Sequence, residues 1–126
     1  MKADIGIIGA MSIEVEALIA KLENREKETV SGIEFNTGSL FGKKIVVAQC
    51  GVGKVFAAIC TEAMILRYSP DLVVNSGVGG ALASDLRPTD TVVARQLLQH
   101  DMDTSPLGDP KGLISGINKV YFDTDS

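Results

Sequence analysis

Residues Gly6–Met11 read Gly-Ile-Ile-Gly-Ala-Met and close a short apolar run that begins at Asp4. A run of β-branched residues that empties into glycine marks a buried strand ending where backbone must come close to something. The same device recurs at Cys50–Lys54 (CGVGK) and at Asn75–Gly80 (NSGVGG). Three such ends in one α/β chain predict a ligand site along one edge of a single sheet. One acid, Glu14, stands just past the first of them.

Around these turns the periodicity lays out the rest of the fold. Asp4–Gly9 predicts a buried strand. Ser12–Glu23 shifts to a helical period, with Ile13, Ala17 and Leu18 on one face and Ser12 as N-cap. Asn24–Val30 is charged and polar and fits an exposed turn or an edge strand. Ile33–Leu40 and Lys44–Gln49 predict a β-hairpin with Gly42 and Lys43 at its turn. Gly53–Tyr68 predicts a helix whose stripe is Val55, Ala58, Ile59, Ala63 and Leu66, ended by Ser69-Pro70. Phe56, Met64 and Ile65 make it apolar on most sides, as in a buried or interfacial helix. Asp71–Asn75 predicts another buried strand, Ala81–Pro88 a loop and Thr91–Arg95 a strand. His100–Gly116 reads as a long loop, and Val120–Phe122 as the start of a further strand. Strands separated by helices imply an α/β fold with a mixed, mostly parallel central sheet and flanking helices, in a single domain over 1–126.

Composition narrows the function. A chain of 126 residues, 45% hydrophobic and 22% charged, is long enough for one domain with a real core. The net charge of −4, the absence of a basic stripe and an aromatic content of 5% give nucleic-acid binding no support. The apolar start is too short and too interrupted for a signal-peptide core, and no stretch is long enough to span a bilayer. A cytoplasmic protein without membrane partners is expected. Cys50 and Cys60 show no metal-ligand spacing and read as two buried thiols.

Each glycine turn has a plain reading and a chemical one. The first offers only G-x-x-G, short of the dinucleotide fingerprint, and no acid follows at a strand end. The second lacks a phosphate loop's first glycine, because position 48 is Ala48, and Val55 replaces its Ser/Thr. The third is either a sharp strand exit or a place where backbone amides face a planar or anionic ligand. Glu14 lies where the helix macrodipole favours an acid with or without chemistry.

The ordered set GIIGAM with Glu14 three positions on, GVGK, PDLVVNSG (Pro70–Gly77) and HDMD (His100–Asp103) resembles the 5′-methylthioadenosine/S-adenosylhomocysteine nucleosidases of the purine-nucleoside and uridine phosphorylase superfamily. The resemblance runs over essentially the whole chain. It implies hydrolysis of an N-glycosidic bond in an adenine thio-nucleoside, with water as nucleophile and no cofactor or metal. It also implies a homodimer. By position, Glu14 resembles the carboxylate that activates water. Ala10 and Met11 resemble the pair near the ribose, and Val52 the apolar residue at the thioether end. Gly79 and Gly80 resemble backbone close to the nucleoside. Thr104 and Leu107 match positions that reach the partner subunit's pocket, and His100, Asp101 and Asp103 a segment near that contact.

Two departures accompany the resemblance. Val78 stands in the substrate-binding turn where many relatives carry Ser. The family's leaving-group acid lies beyond position 126, so the chain reads as the N-terminal part of a nucleosidase, truncated at its C-terminus and inactive alone. Two rivals remain. A phosphorolytic relative would need cations for phosphate, yet no Arg precedes Arg25 and Asn75-Ser76 holds the strand end. A non-catalytic nucleoside-binding protein would keep half the fold.

Overall fold

The computed structural model describes residues 2–125, which divide into two compact units, 2–80 and 81–125. In the first unit the elements run β1 (Ile5–Gly9), α1 (Ser12–Ala20), β2 (Glu23–Val30), β3 (Ile33–Leu40), β4 (Lys43–Gln49), α2 (Lys54–Tyr68) and β5 (Leu72–Asn75). They form a five-stranded mixed sheet in the order β2-β3-β4-β1-β5. β1 pairs in parallel with β4 and β5, while β3 is antiparallel to both β2 and β4. Four of the five strands therefore point one way, with β3 reversed, as the expected mostly parallel α/β sheet requires.

The two faces of the sheet bury separate apolar clusters. On one, Ile8, Phe35, Val46 and Ala48 pack with Cys60, Met64 and Tyr68 of α2. On the other, Ile45 and Val47 pack with Val15 of α1 and Leu22, joined by Ile5, Ile7 and Ile19. Alternation along β4 sends Val46 and Ala48 one way and Ile45 and Val47 the other. Cys50 and Cys60 are both buried free thiols, as expected.

Both helical stripes differ from the expected ones. In α2 the sheet-facing stripe is Cys60, Met64 and Tyr68, with Ala57 and Ala63 beside it. Val55, Ile59 and Leu66 lie exposed. In α1 the buried side carries Val15, with Ile13 exposed. A helix that is apolar all round supports several stripes at the same period, so periodicity alone does not choose among them.

Several boundaries also shift. Met11, not Ser12, is the N-cap of α1, and the helix ends at Ala20, with Lys21 as C-cap. Glu23 already pairs with Ser39, and an irregularity between Glu23 and Glu26 accommodates Asn24 at φ 52°. Asparagine tolerates that left-handed conformation better than most residues. The β3–β4 turn is Phe41-Gly42, both at positive φ as a tight hairpin turn demands, so Lys43 belongs to β4. β5 is an edge strand with exposed Leu72 and Val74, not a buried one, because it pairs only with β1 among the described residues.

The second unit holds little regular structure. Thr91–Arg95 is not a strand; the short β6 (Gln96–Leu97) pairs with β7 (Phe122–Asp123) just beyond it. The expected strand at Val120–Phe122 thus lies at Phe122–Asp123. Ala81–Pro88 is irregular, as expected. The long loop carries a 3-10 turn at Ser105–Leu107 and an isolated bridge between Ile114 and Lys119.

Candidate active site

The three glycine turns meet because their strands are neighbours. In the parallel trio β4-β1-β5, Gly9 registers with Gln49 and Ile8 with Asn75, so all three strands end at one level. Backbone stitches the exits together. Cys50 N–H donates to the Gly9 carbonyl at 2.8 Å, and Ser76 N–H donates to the Ile8 carbonyl at 2.9 Å. The ends of parallel strands are where α/β sheets place ligands.

Glu14 occupies this junction from the first turn of α1. Its own N–H donates to the Met11 carbonyl at 3.0 Å, which starts the helix. Its side chain folds back so that Oε2 accepts the Met11 N–H at 2.9 Å, the acidic half of a capping box. The other oxygen reaches the third turn, where Oε1 accepts the Val78 N–H at 3.0 Å. The Met11 and then the Val78 amide hold the carboxyl below the usual glutamate range; partial desolvation opposes them and Ala10 backbone adds to them. An ionised carboxylate so held keeps lone pairs for one more donor, such as a water.

Close packing enforces the arrangement. A side chain at Gly9 would meet Val15 Cγ1 at 2.6 Å and Ser76 O at 3.1 Å. Gly77 abuts the Glu14 carboxylate itself, a contact that sequence reading missed although Gly77 stands among three glycines in six positions. From the second turn, Cys50 donates its thiol to Gly51 O at 3.3 Å. Burial pushes that thiol's pKa up, and the Glu14 charge adds to the effect.

The remaining expected site residues fall as follows. Ala10 is half-buried and Met11 is the N-cap of α1. Val52 is exposed in the second turn, between Gly51 at φ 91° and Gly53 at φ 105°. Val78 contributes its N–H to Glu14 and exposes its side chain. Gly79 and Gly80 are exposed with open space where a Cβ would stand. Thr104 and Leu107 belong to the second unit, where Thr104 Oγ1 donates to Asp109 Oδ2 at 2.9 Å and Leu107 is exposed. In the same loop Asp103 accepts the Ser105 N–H at 3.0 Å and pairs with Lys111 at 3.1 Å. Among the described residues, no group of three or more His, Cys, Asp and Glu side chains is gathered as a metal ion would need. No described helix is long and apolar enough to cross a membrane.

A cavity of about 700 Å³ opens on the far side of α1, lined by Glu16, Ile19, Asn36, Gln49, Cys50 and Phe56 among others, and does not include Glu14. Asn36 is buried there; its Nδ2 donates to Glu34 Oε1 at 3.2 Å, and its Oδ1 has no protein partner among the described residues.

Fold and junction together define an α/β protein with a polar site at the carboxyl ends of three parallel strands. The chain belongs to the phosphorylase superfamily, whose family model matches residues 4–125 and so spans both units. It is 42% identical over 104 residues to a 5′-methylthioadenosine/S-adenosylhomocysteine nucleosidase from Shewanella halifaxensis, covering 82% of this chain and 45% of that protein. Its fold is similar to that of a nucleosidase of the same name from Colwellia psychrerythraea solved with adenine, at a TM-score of 0.92 and 36% identity, covering 98% of this chain and 50% of that one. A futalosine hydrolase from Helicobacter pylori is similar at a TM-score of 0.89 and 36% identity, covering 96% of this chain and 52% of that one. The chain spans about half the length of these relatives.

Proposed function

We propose that the protein carrying this sequence hydrolyses the N-glycosidic bond of 5′-methylthioadenosine and S-adenosylhomocysteine, with Glu14 as the base that activates the attacking water. The observation that carries this reading is the Glu14 carboxylate, fixed between the Met11 and Val78 amides where the three turns meet. A water bonded to that carboxylate gives up a proton as its oxygen attacks the sugar's anomeric carbon. The carbon–nitrogen bond breaks, and its electron pair leaves with the adenine. The negative carboxylate also favours the positive charge that develops on the ribosyl ring.

In this reading Ala10, Met11, Val52, Val78, Gly79 and Gly80 border the nucleoside. The open space at Gly79 and Gly80 supports a ligand approaching their backbone. Exposed Ile13, Val52, Val55, Phe56 and Ile59 support a homodimer, in which Thr104 and Leu107 serve the partner subunit's pocket. The reduced, buried thiols accord with a cytoplasmic location. In this account the departing adenine takes up a proton from a general acid as the bond breaks. General-acid help of that kind is worth about 10²–10⁴-fold.

The test uses the protein at the full length its gene encodes, incubated with 5′-methylthioadenosine in phosphate-free buffer. Adenine and 5-methylthioribose are the expected products. Strict dependence on phosphate would replace hydrolysis with phosphorolysis, and tight binding without turnover would favour the non-catalytic reading. Selective turnover of futalosine would move the substrate assignment.

A further inference from the structure

Glycine is usually retained for its backbone freedom, but Gly77 has no such need. Its φ is not among the positive ones of this chain, so an L-residue can adopt its conformation. What a side chain there would displace is the Glu14 carboxylate. A Cβ built on Gly77 stands 2.7 Å from Glu14 Oε1, 3.1 Å from its Cδ and 3.3 Å from its Oε2. All three nearest atoms belong to the Glu14 carboxylate.

We infer that Gly77 is a positioning residue for Glu14: its missing side chain leaves the slot in which the carboxylate bridges the Met11 and Val78 amides. The inference rests on the base role proposed above and adds a residue to it. The next residue in the chain, Val78, supplies the N–H that holds Oε1, so slot and donor come from consecutive positions of one turn. A methyl group at 77 has two outcomes. Either the carboxylate swings out and surrenders the Val78 amide, or the turn moves and carries that amide away. Both leave Glu14 without its Val78 anchor, with Oε1 displaced from the junction. Glu14 then becomes easier to protonate, because an amide that favoured its charged form is gone.

The experiment crosses Gly77→Ala with Glu14→Ala in the protein at its full encoded length. Thermal melting comes first, since it requires no activity. Gly77→Ala alone should lower Tm, and the same change in the Glu14→Ala background should cost much less, because the crowding atoms have been removed. An equal loss of Tm in both backgrounds overturns the inference. Kinetics come second, on the single variant. Gly77→Ala should lower kcat at pH 7 by roughly 10- to 100-fold, the scale of a small misplacement of a reacting group. The ascending acid limb of its pH profile should move to higher pH, with KM little changed. Coupled melting with an unmoved acid limb also overturns the positioning role. If Glu14→Gln proves as active as wild type, the base reading fails instead, and the melting cycle still decides whether Gly77 seats the carboxylate.

Discussion

The Val78 amide donates to the Glu14 carboxylate at 3.0 Å across a separation of 64 residues. That bond joins the first and third glycine turns, and the Cys50 amide on the Gly9 carbonyl joins the first and second. A glutamate at the third position of a helix ordinarily serves its own N-terminus. Here one oxygen does so and the other ties down a strand exit. The arrangement costs Glu14 little, since backbone amides replace the water it gives up.

The first consequence concerns pH. Glu14 is held below the ordinary glutamate value of 4.5, chiefly by the Met11 amide and then by Val78. A base must be ionised to act, so under the proposed role the acid limb of kcat/KM that Glu14 sets should have its midpoint below 4.5. The sign for stability is the same. The contribution of a depressed carboxyl is complete above its unfolded pKa and fades as pH falls through the folded one. An acid limb above 4.5 that moves with substitution at Glu14 would contradict the geometry.

The second concerns which side of α2 faces the sheet. Met64 is fully buried and Leu66 is 75% exposed. Met64→Ala should destabilise the fold by about 2–5 kcal/mol, the range for emptying a core site. Leu66→Ala should cost no more than roughly 0.5 kcal/mol. Gly6→Ala should also destabilise, because its Cβ would run into the Met64 sulfur. Urea melts of the three variants check this, and a Leu66→Ala loss matching that of Met64→Ala would reverse the assigned stripe.

Much of this was legible in the sequence, and the parts that were not have a common cause. β-Branched runs ending in glycine located β1 and β4, and their convergence follows once the strands are parallel neighbours. The stripes of α1 and α2 were misread because Ile13 and Val15, or Leu66 and Met64, are equally apolar; only packing separates them. β5 looked buried because Leu72, Val73 and Val74 are apolar, yet it has one strand neighbour among the described residues. Thr91–Arg95 has strand-like residues, but among the described residues only Ala94 and Arg95 at its end meet neighbouring chain, through Thr124, and ladder pairing falls one step later at Gln96. In the site, Glu14 stood out as an acid after a glycine turn. Gly77 did not, because a steric requirement leaves no mark beyond the glycine itself.

A third prediction lies in the second unit. Asp103 is brought down to about 2, first by the Ser105 side chain, then by the Ser105 amide and Lys111. Its contribution to local order is therefore complete above the ordinary aspartate value of 3.8 and is lost as pH falls through about 2. Carboxyl NMR should find this midpoint. Lys111→Ala should raise it only part of the way, since both Ser105 contacts remain. A full return to 3.8 would mean that the ion pair alone holds the group.

Replacing Glu14 by Gln keeps the side chain's length and an oxygen for one amide while removing its ability to take a proton. Adenine release from 5′-methylthioadenosine by the full-length Glu14→Gln protein, followed in a single turnover with the fold verified by its melting curve, is the most direct measurement. The account predicts a rate lower by about 10²–10⁴-fold with nucleoside binding retained. A folded Glu14→Gln protein that releases adenine at the wild-type rate would contradict it.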